Sequence, residues 1–153
     1  MKKGALRKKT ALALLAVIML CGLAARLHGM NRYSLWFDEY FHAFAAQGIL
    51  EKGEPVLPSG ELYGRASVYS YLVAAGFKLF GTGDIPARMP SVLLGVLSIG
   101  LTYMLASHWF SRRVGLISAF LMALSPFCIL WSQMCRLYAL FQPAYLLLVF
   151  FFF

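Results

Sequence analysis

Four apolar runs dominate the chain and leave it few folds. Thr10 to about His28, Met89 to about Ser107, Val114 to about Trp131 and Leu140 onward to Phe153 carry almost no charge. Roughly 20 helical residues cross ~30 Å of hydrocarbon, so each run is read as a transmembrane helix, the last one cut short. Composition agrees: 61% of the 153 residues are hydrophobic and 13% charged. No soluble core of this length buries so much apolar surface. The expectation is an all-α, polytopic membrane protein with amphipathic juxtamembrane helices in a first outer loop at 29–88. A cleavable signal peptide is the rival reading of the first run, since a basic region precedes it.

The net charge of +8 does not point to nucleic acid. Lys2, Lys3, Arg7, Lys8 and Lys9 open the chain, and the other basic residues sit mostly near ends of apolar runs. That is a topological pattern, suited in places to lipid phosphates. Arg26 is expected to snorkel from the outer end of span one. Cys21, Cys128 and Cys135 read as small apolar fillers rather than disulfides or zinc ligands. From Leu137 the chain runs uncharged to Phe153, so an N-terminal fragment of a longer protein is expected.

The segment 66–80 is apolar and aromatic but short, covering ~22 Å at 1.5 Å per residue. Charge parity decides how it lies. With the basic N-terminus inside, span one exits and span two returns, placing Arg112 and Arg113 inside as the positive-inside rule prefers. Were 66–80 to cross, that pair would face out. The segment is therefore expected along the outer interface. Asp38-Glu39 and the loop 133–138 then share the outer face.

Asp38 and Glu39 stand side by side among only six acidic residues. Acids at a membrane surface invite a chemical reason. Ser34 is expected to cap a helix from Leu35, with the pair near its positive end. Phe37, Tyr40, Phe41, Phe44 and Gly48 then share an apolar face, while Asp38, Glu39 and His42 share a polar face turned away from the membrane. The ordinary reading of the pair is a favourable helix start. His42 reads as a solvated histidine, and Glu51, Glu54 and Glu61 as solvated loop charges. Arg65 reads either as a headgroup anchor or as a clamp on a lipid-linked phosphate.

The order Trp36-Phe37-Asp38-Glu39, Arg88-Met89-Pro90-Ser91, Phe110-Ser111-Arg112-Arg113-Val114-Gly115, Leu124-Ser125-Pro126-Phe127 and Ser132-Gln133-Met134-Cys135-Arg136-Leu137-Tyr138 resembles the N-terminal part of the GT-C glycosyltransferases. It is nearest to the bacterial branch grouped with dolichyl-phosphate-mannose–protein mannosyltransferases and the aminoarabinose transferase of lipid A. The resemblance implies a multi-pass enzyme of the bacterial inner membrane with its active site facing outside. Such an enzyme passes a hexosyl or pentosyl group from a polyprenyl-phosphate-linked donor to a protein, lipid or glycan acceptor. It further implies two juxtamembrane helices in the first outer loop. Asp38 and Glu39 correspond to the catalytic acidic motif, and Arg136 and Tyr138 to an Arg-x-Tyr of the second outer loop. Relatives often carry an acid where this chain has Met134. No cofactor is certain, and a divalent metal is the one the resemblance admits.

Chemistry points the same way. Displacing a polyprenyl phosphate at an anomeric carbon needs a base for the acceptor and positive charge on the departing phosphate. Arg65 and Arg136 are the phosphate candidates, with Arg32 and Arg88 behind them. A transporter or flippase would place ionisable groups near mid-span, where the spans show almost none. A non-catalytic membrane anchor is the third class, separated from an enzyme by replacing Asp38 with Asn.

Overall fold

A computed structural model describes residues 7–152. Lys2 and Lys3, and Phe153 at the end of the fourth expected span, lie outside them. The described residues form α1 (Lys8–Leu27), α2 (Phe37–Lys52), α3 (Ser67–Phe80), α4 (Asp84–Trp109), α5 (Arg112–Leu124), α6 (Pro126–Ser132) and α7 (Tyr138–Phe152). Among them the only β-type pairing is an isolated antiparallel bridge between Val56 and Leu62 in the loop after α2. The all-α membrane class holds. By length and composition α1 and α4 can each cross a bilayer, with mean hydropathies of 2.2 and 1.8.

The centre of the bundle is α4, which packs on α1, α3, α5 and α7. It begins at Asp84, earlier than the apolar run that announces it. Pro86 falls in its first turn, where amide hydrogens have no helical acceptor, so the ring does no harm there. Two apolar clusters flank α4. Ala11, Ile99, Tyr103, Leu116, Ala119 and Ala123 join α1, α4 and α5. Ala43, Ala46, Tyr69, Val73 and Phe77 join α2 to α3, with Ala87 of α4 and Cys135 of the later loop.

The third expected span is not one straight helix. α5 and α6 meet at 60°. Pro126 supplies no amide hydrogen, and the Ser125 hydroxyl accepts from the Cys128 amide to start α6 afresh;. Breaking the helix orphans the last carbonyls of α5. Arg26 satisfies them. Its guanidinium donates to the carbonyls of Ala123 (3.2 Å) and Met122 (3.5 Å), to Gly22 of its own helix (3.0 Å) and to the Ser132 hydroxyl (3.2 Å). The expected snorkelling is thereby corrected: Arg26 is fully buried. Carbonyl dipoles from the broken helix are nearer than water.

The exchange is reciprocal. Gln133, just after α6, donates its side-chain amide to the terminal carbonyls of α1 at Arg26 (3.0 Å) and His28 (2.8 Å). Close approach is needed for the Arg26 contact. A Cβ on Gly95 would fall 2.9 Å from Arg26 Nε, and one on Gly22 would fall 2.5 Å from Ile99 Cδ1. Gly95 is required by packing, beyond being tolerated in a membrane helix, whereas a side chain at Gly22 would first displace the movable end of Ile99;.

The outer-loop helices differ in register from expectation. α2 starts at Phe37, not Leu35, because the carboxylate of Glu39 accepts from the Trp36 amide (2.8 Å) and Ser34 supplies no side-chain cap. Its buried face is Glu39, His42, Ala43 and Ala46, at spacings that share one side of a helix;. Phe37 and Phe44 are exposed, and Tyr40 as well. Small alanines let α2 approach α3 closely, which outweighs the pull of the larger aromatics. α3, 14 residues long, buries Tyr69, Ser70, Val73, Ala74 and Phe77.

Replacing Arg26 with Leu should lower stability by about 2–5 kcal/mol, because carbonyls and a hydroxyl lose their buried donor. Thermal unfolding of the detergent-solubilised protein, followed by circular dichroism, reads this as a lower midpoint. An unchanged midpoint would show that water reaches the α5–α6 bend.

Candidate functional site

The site is assembled on a buried ion pair. Glu39 and Arg88 are 1% and 4% exposed. Arg88 Nε donates to Glu39 Oε1 (3.0 Å) and Nη2 to Oε2 (2.9 Å), a two-point pairing of planar groups;. The remaining guanidinium hydrogens go to the carbonyls of Met30 (2.8 Å), Tyr33 (2.9 Å) and Ser34 (3.2 Å). Glu39 also accepts from the amides of Trp36 and Cys135. One carboxylate thus fastens the start of α2, the start of α4 and the loop before α7. Burial pushes the Glu39 carboxyl upward, but the Arg88 bond and the two amides more than offset it, leaving it below the usual range;. Two expectations are corrected here. Glu39 does not face outward, and Arg88 has no donor left for a phosphate.

Directly beside this anchor Asp38 points the other way, with its side chain 60% exposed, and forms an ion pair with Arg136. Arg136 also stacks over the Tyr138 ring, 5.3 Å from its centroid;. A cavity of about 330 Å³ is lined by Asp38, Arg65, Arg136 and Tyr138 together with His42 and Tyr63. Four of the five site residues expected from the sequence therefore share one concavity, with Glu39 as the anchor behind it. Arg32, in the loop after α1, is not among the lining residues.

His42 is the residue that sequence reasoning missed. It is 2% exposed, not solvated. Its Nδ1 lies 3.1 Å from the Ser70 hydroxyl, and its ring meets Tyr69 (4.9 Å) and Tyr63 (5.3 Å) edge-on. Burial, aided by the nearby Arg136 charge and partly opposed by Asp38, holds the imidazole at a pKa of about 4;. It is neutral at physiological pH. The usable signal was its i+4 position after Asp38, which brings both to one cavity wall.

A second cavity of about 390 Å³ adjoins the first through Tyr138 and is more apolar, bounded by Phe127, Trp131, Ser132 and Ala139. Cys135 is fully buried, its thiol pushed up to about 12 chiefly by burial, which makes it inert;. Cys21 is exposed and Cys128 half-buried, and none of the three is paired. The residues present do not fit a divalent metal. Asp38 is engaged by Arg136 and Glu39 by four donors, and among the described residues no three of His, Cys, Asp and Glu gather as a ligand set.

A helical membrane protein with an Asp-Arg-Tyr cavity at the ends of its spanning helices is the class that fold and site define. Residues 65–153, more than half of the chain, match the family described as dolichyl-phosphate-mannose-protein mannosyltransferase, and the chain belongs to that family of membrane glycosyltransferases. An uncharacterised protein of Aquifex aeolicus (strain VF5) is 30% identical over 123 residues, 77% of this chain. The chain spans 24% of that relative's length. No solved structure matches.

Glu39→Gln should cost about 3–5 kcal/mol, since it leaves the Arg88 charge buried without its counterion. Glu39→Gln combined with Arg88→Met should cost less than the sum of the two single changes, measured as unfolding midpoints. The His42 shift carries its own pH signature. Its folded pKa lies below the unfolded value near 6.5, so the unfolded chain binds a proton the folded chain refuses;. The stabilisation is complete above pH ~6.5 and is lost as pH falls toward 4, a difference of about 3 kcal/mol. His42→Asn should flatten stability between those pH values.

Proposed function

We propose that this chain supplies the acceptor-activating and phosphate-binding wall of a glycosyltransferase that uses a polyprenyl-phosphate-linked sugar. The observation that carries the reading is the meeting of Asp38, Arg65, Arg136 and Tyr138 in one cavity. The acceptor is a hydroxyl of a protein, lipid or glycan. Its oxygen forms a bond to the anomeric carbon while the bond from that carbon to the phosphate oxygen breaks. The acceptor proton passes to the exposed carboxylate of Asp38. Negative charge gathers on the leaving polyprenyl phosphate, where Arg136 and Arg65 stabilise it.

The Asp38–Arg136 pair gives these roles an order. An arriving phosphate competes with Asp38 for Arg136, which leaves the carboxylate to face the acceptor hydroxyl. Tyr138 holds the guanidinium plane toward the cavity. Glu39 is a positioning residue: through Arg88 and the Cys135 amide it sets the distance between Asp38 and Arg136. Neutral His42 offers a hydrogen bond to a substrate hydroxyl without adding charge next to Arg136.

In this reading the cavity faces the outside of the bacterial inner membrane, with Arg112 and Arg113 on the cytoplasmic side. A membrane transporter is less well supported. The one basic residue inside the first span, Arg26, is consumed by protein carbonyls and lines no path.

The test is turnover of a polyprenyl-phosphate sugar by the intact enzyme in proteoliposomes. Asp38→Asn should lower kcat by about 10²–10⁴-fold, the usual worth of general-base assistance. Arg136→Ala should lower kcat and raise the KM for the donor. Near-normal turnover in Asp38→Asn, with loss in Arg65→Ala and Arg136→Ala, would remove the base role and leave phosphate stabilisation alone.

A further inference from the structure

Asp38 and Arg136 border two hollows, and the glycosyl-transfer reading uses one of them. The polar one holds Arg65, His42 and Tyr63. The second, of about 320 Å³, takes the same pair as part of its wall and is otherwise aromatic and apolar, with Trp36, Phe37, Trp131 and Met134. Every charge among its lining residues is already matched within the protein. Asp38 pairs with Arg136, and Glu39 is spent on Arg88. A neutral ligand is favoured there over an ion, whose desolvation no spare countercharge would offset.

Anchoring is the ordinary use of aromatics at a membrane surface, and an anchor needs no fixed ring orientation. These rings are held. Trp131 meets Tyr138 edge-on at 5.0 Å and Phe127 at 6.1 Å, and Phe37 meets Phe41 edge-on at 5.2 Å. The Trp36 backbone is fixed as well, since its amide donates to Glu39 (2.8 Å). Groups ordered before binding lose little freedom when a ligand lies on them. Trp36 and Phe37 nevertheless remain 66% and 77% exposed. The lining thus offers flat apolar faces and indole N–H donors beside a carboxylate and a guanidinium.

We propose, building on the glycosyl-transfer reading, that this second hollow binds a saccharide ring of the acceptor, so that the hydroxyl to be glycosylated belongs to a sugar. A pyranose has faces of C–H groups and a rim of hydroxyls. One such face covers an indole and leaves water, while the rim reaches Asp38 and Arg136. A serine or threonine side chain has the hydroxyl but no such face. The donor's sugar is tied to its phosphate and goes with Arg65 and His42 into the polar hollow, which leaves the aromatic one to the acceptor. Size agrees, since about 320 Å³ is at the small end of ligand sites and suits a sugar ring rather than a folded segment;.

The experiment is saturation-transfer NMR on the intact protein in lipid nanodiscs free of sugar detergents. Protein aromatic protons are irradiated. The probes are methyl glycosides of glucose, galactose, mannose and N-acetylglucosamine, with a peptide containing serine and threonine alongside. At least one glycoside should receive saturation, strongest on the C–H protons of one ring face, and the peptide should receive little. Trp36→Ala should weaken that glycoside roughly tenfold, and Trp36→Phe should restore most of the binding. Phe110→Ala, which removes an exposed ring at the far end of α4, should leave it unchanged. No saturation on any glycoside overturns the proposal, as does equal loss in Trp36→Ala and Phe110→Ala. Saturation of the peptide alone overturns it in favour of a protein acceptor. Loss of the glycoside signal on adding a polyprenyl-phosphate-linked glucose overturns it in favour of the donor's sugar. Should Trp36→Ala unfold, the comparison of glycosides with peptide on the unaltered protein decides. No sugar is transferred here, so these outcomes are read apart from the Asp38→Asn turnover that tests the glycosyl-transfer reading.

Discussion

Five hydrogens of one guanidinium hold the Asp38 end of this protein together. Arg88 spends all of its donors on Glu39 and on three carbonyls of the loop between α1 and α2. A lysine has three donors and no plane, so it cannot reproduce the fork on the carboxylate while holding the loop. The pair sits where water is scarce, and a lone charge there is costly. Each partner therefore obliges the other, and the loop carbonyls and the Cys135 amide are gathered as a consequence. The candidate cavity lies on top of this anchor, so its geometry is inherited from a buried contact behind its wall.

A second constraint is set by the bend between α5 and α6. Once Pro126 interrupts the helix, carbonyls need donors at a depth where water is not at hand. Arg26 reaches across from α1 to supply them, and Gln133 reaches back to close the end of α1. The bend and the end of α1 are mutually capped. Together with the Glu39 anchor, this fixes Gln133, Cys135 and thereby Arg136 with respect to α2. Asp38 and Arg136 meet because both ends of the short loop 133–137 are tied down.

Hydropathy made α1 and α4 legible, since crossing a membrane requires a long apolar run and little else does. Ser125-Pro126 carried the α5–α6 break in plain view, but averaging over an apolar window hid it. The candidate site was legible in part: the order of its motifs gave Asp38, Arg136 and Tyr138, and the positive charge that a departing phosphate needs gave Arg65. Local periodicity went astray at Glu39, His42 and Arg26. Each is polar and looked solvated, and each is buried by a partner remote in sequence: Arg88, Ser70 and Ser132 lie 49, 28 and 106 positions away. A helix wheel sees hydrophobicity, and it cannot see the residue that will neutralise a charge from another helix.

The separation of Glu39 from its partners also has a meaning in time. Cys135, whose amide completes the anchor, follows Glu39 by 96 positions. At ~5–20 residues per second of synthesis, the carboxylate emerges roughly 5–20 seconds before that amide exists. During that interval α1 is available to the membrane while the acidic pair stays hydrated at its surface. The cavity is thus a late product of biogenesis: the chain commits to its first crossing well before it possesses a site.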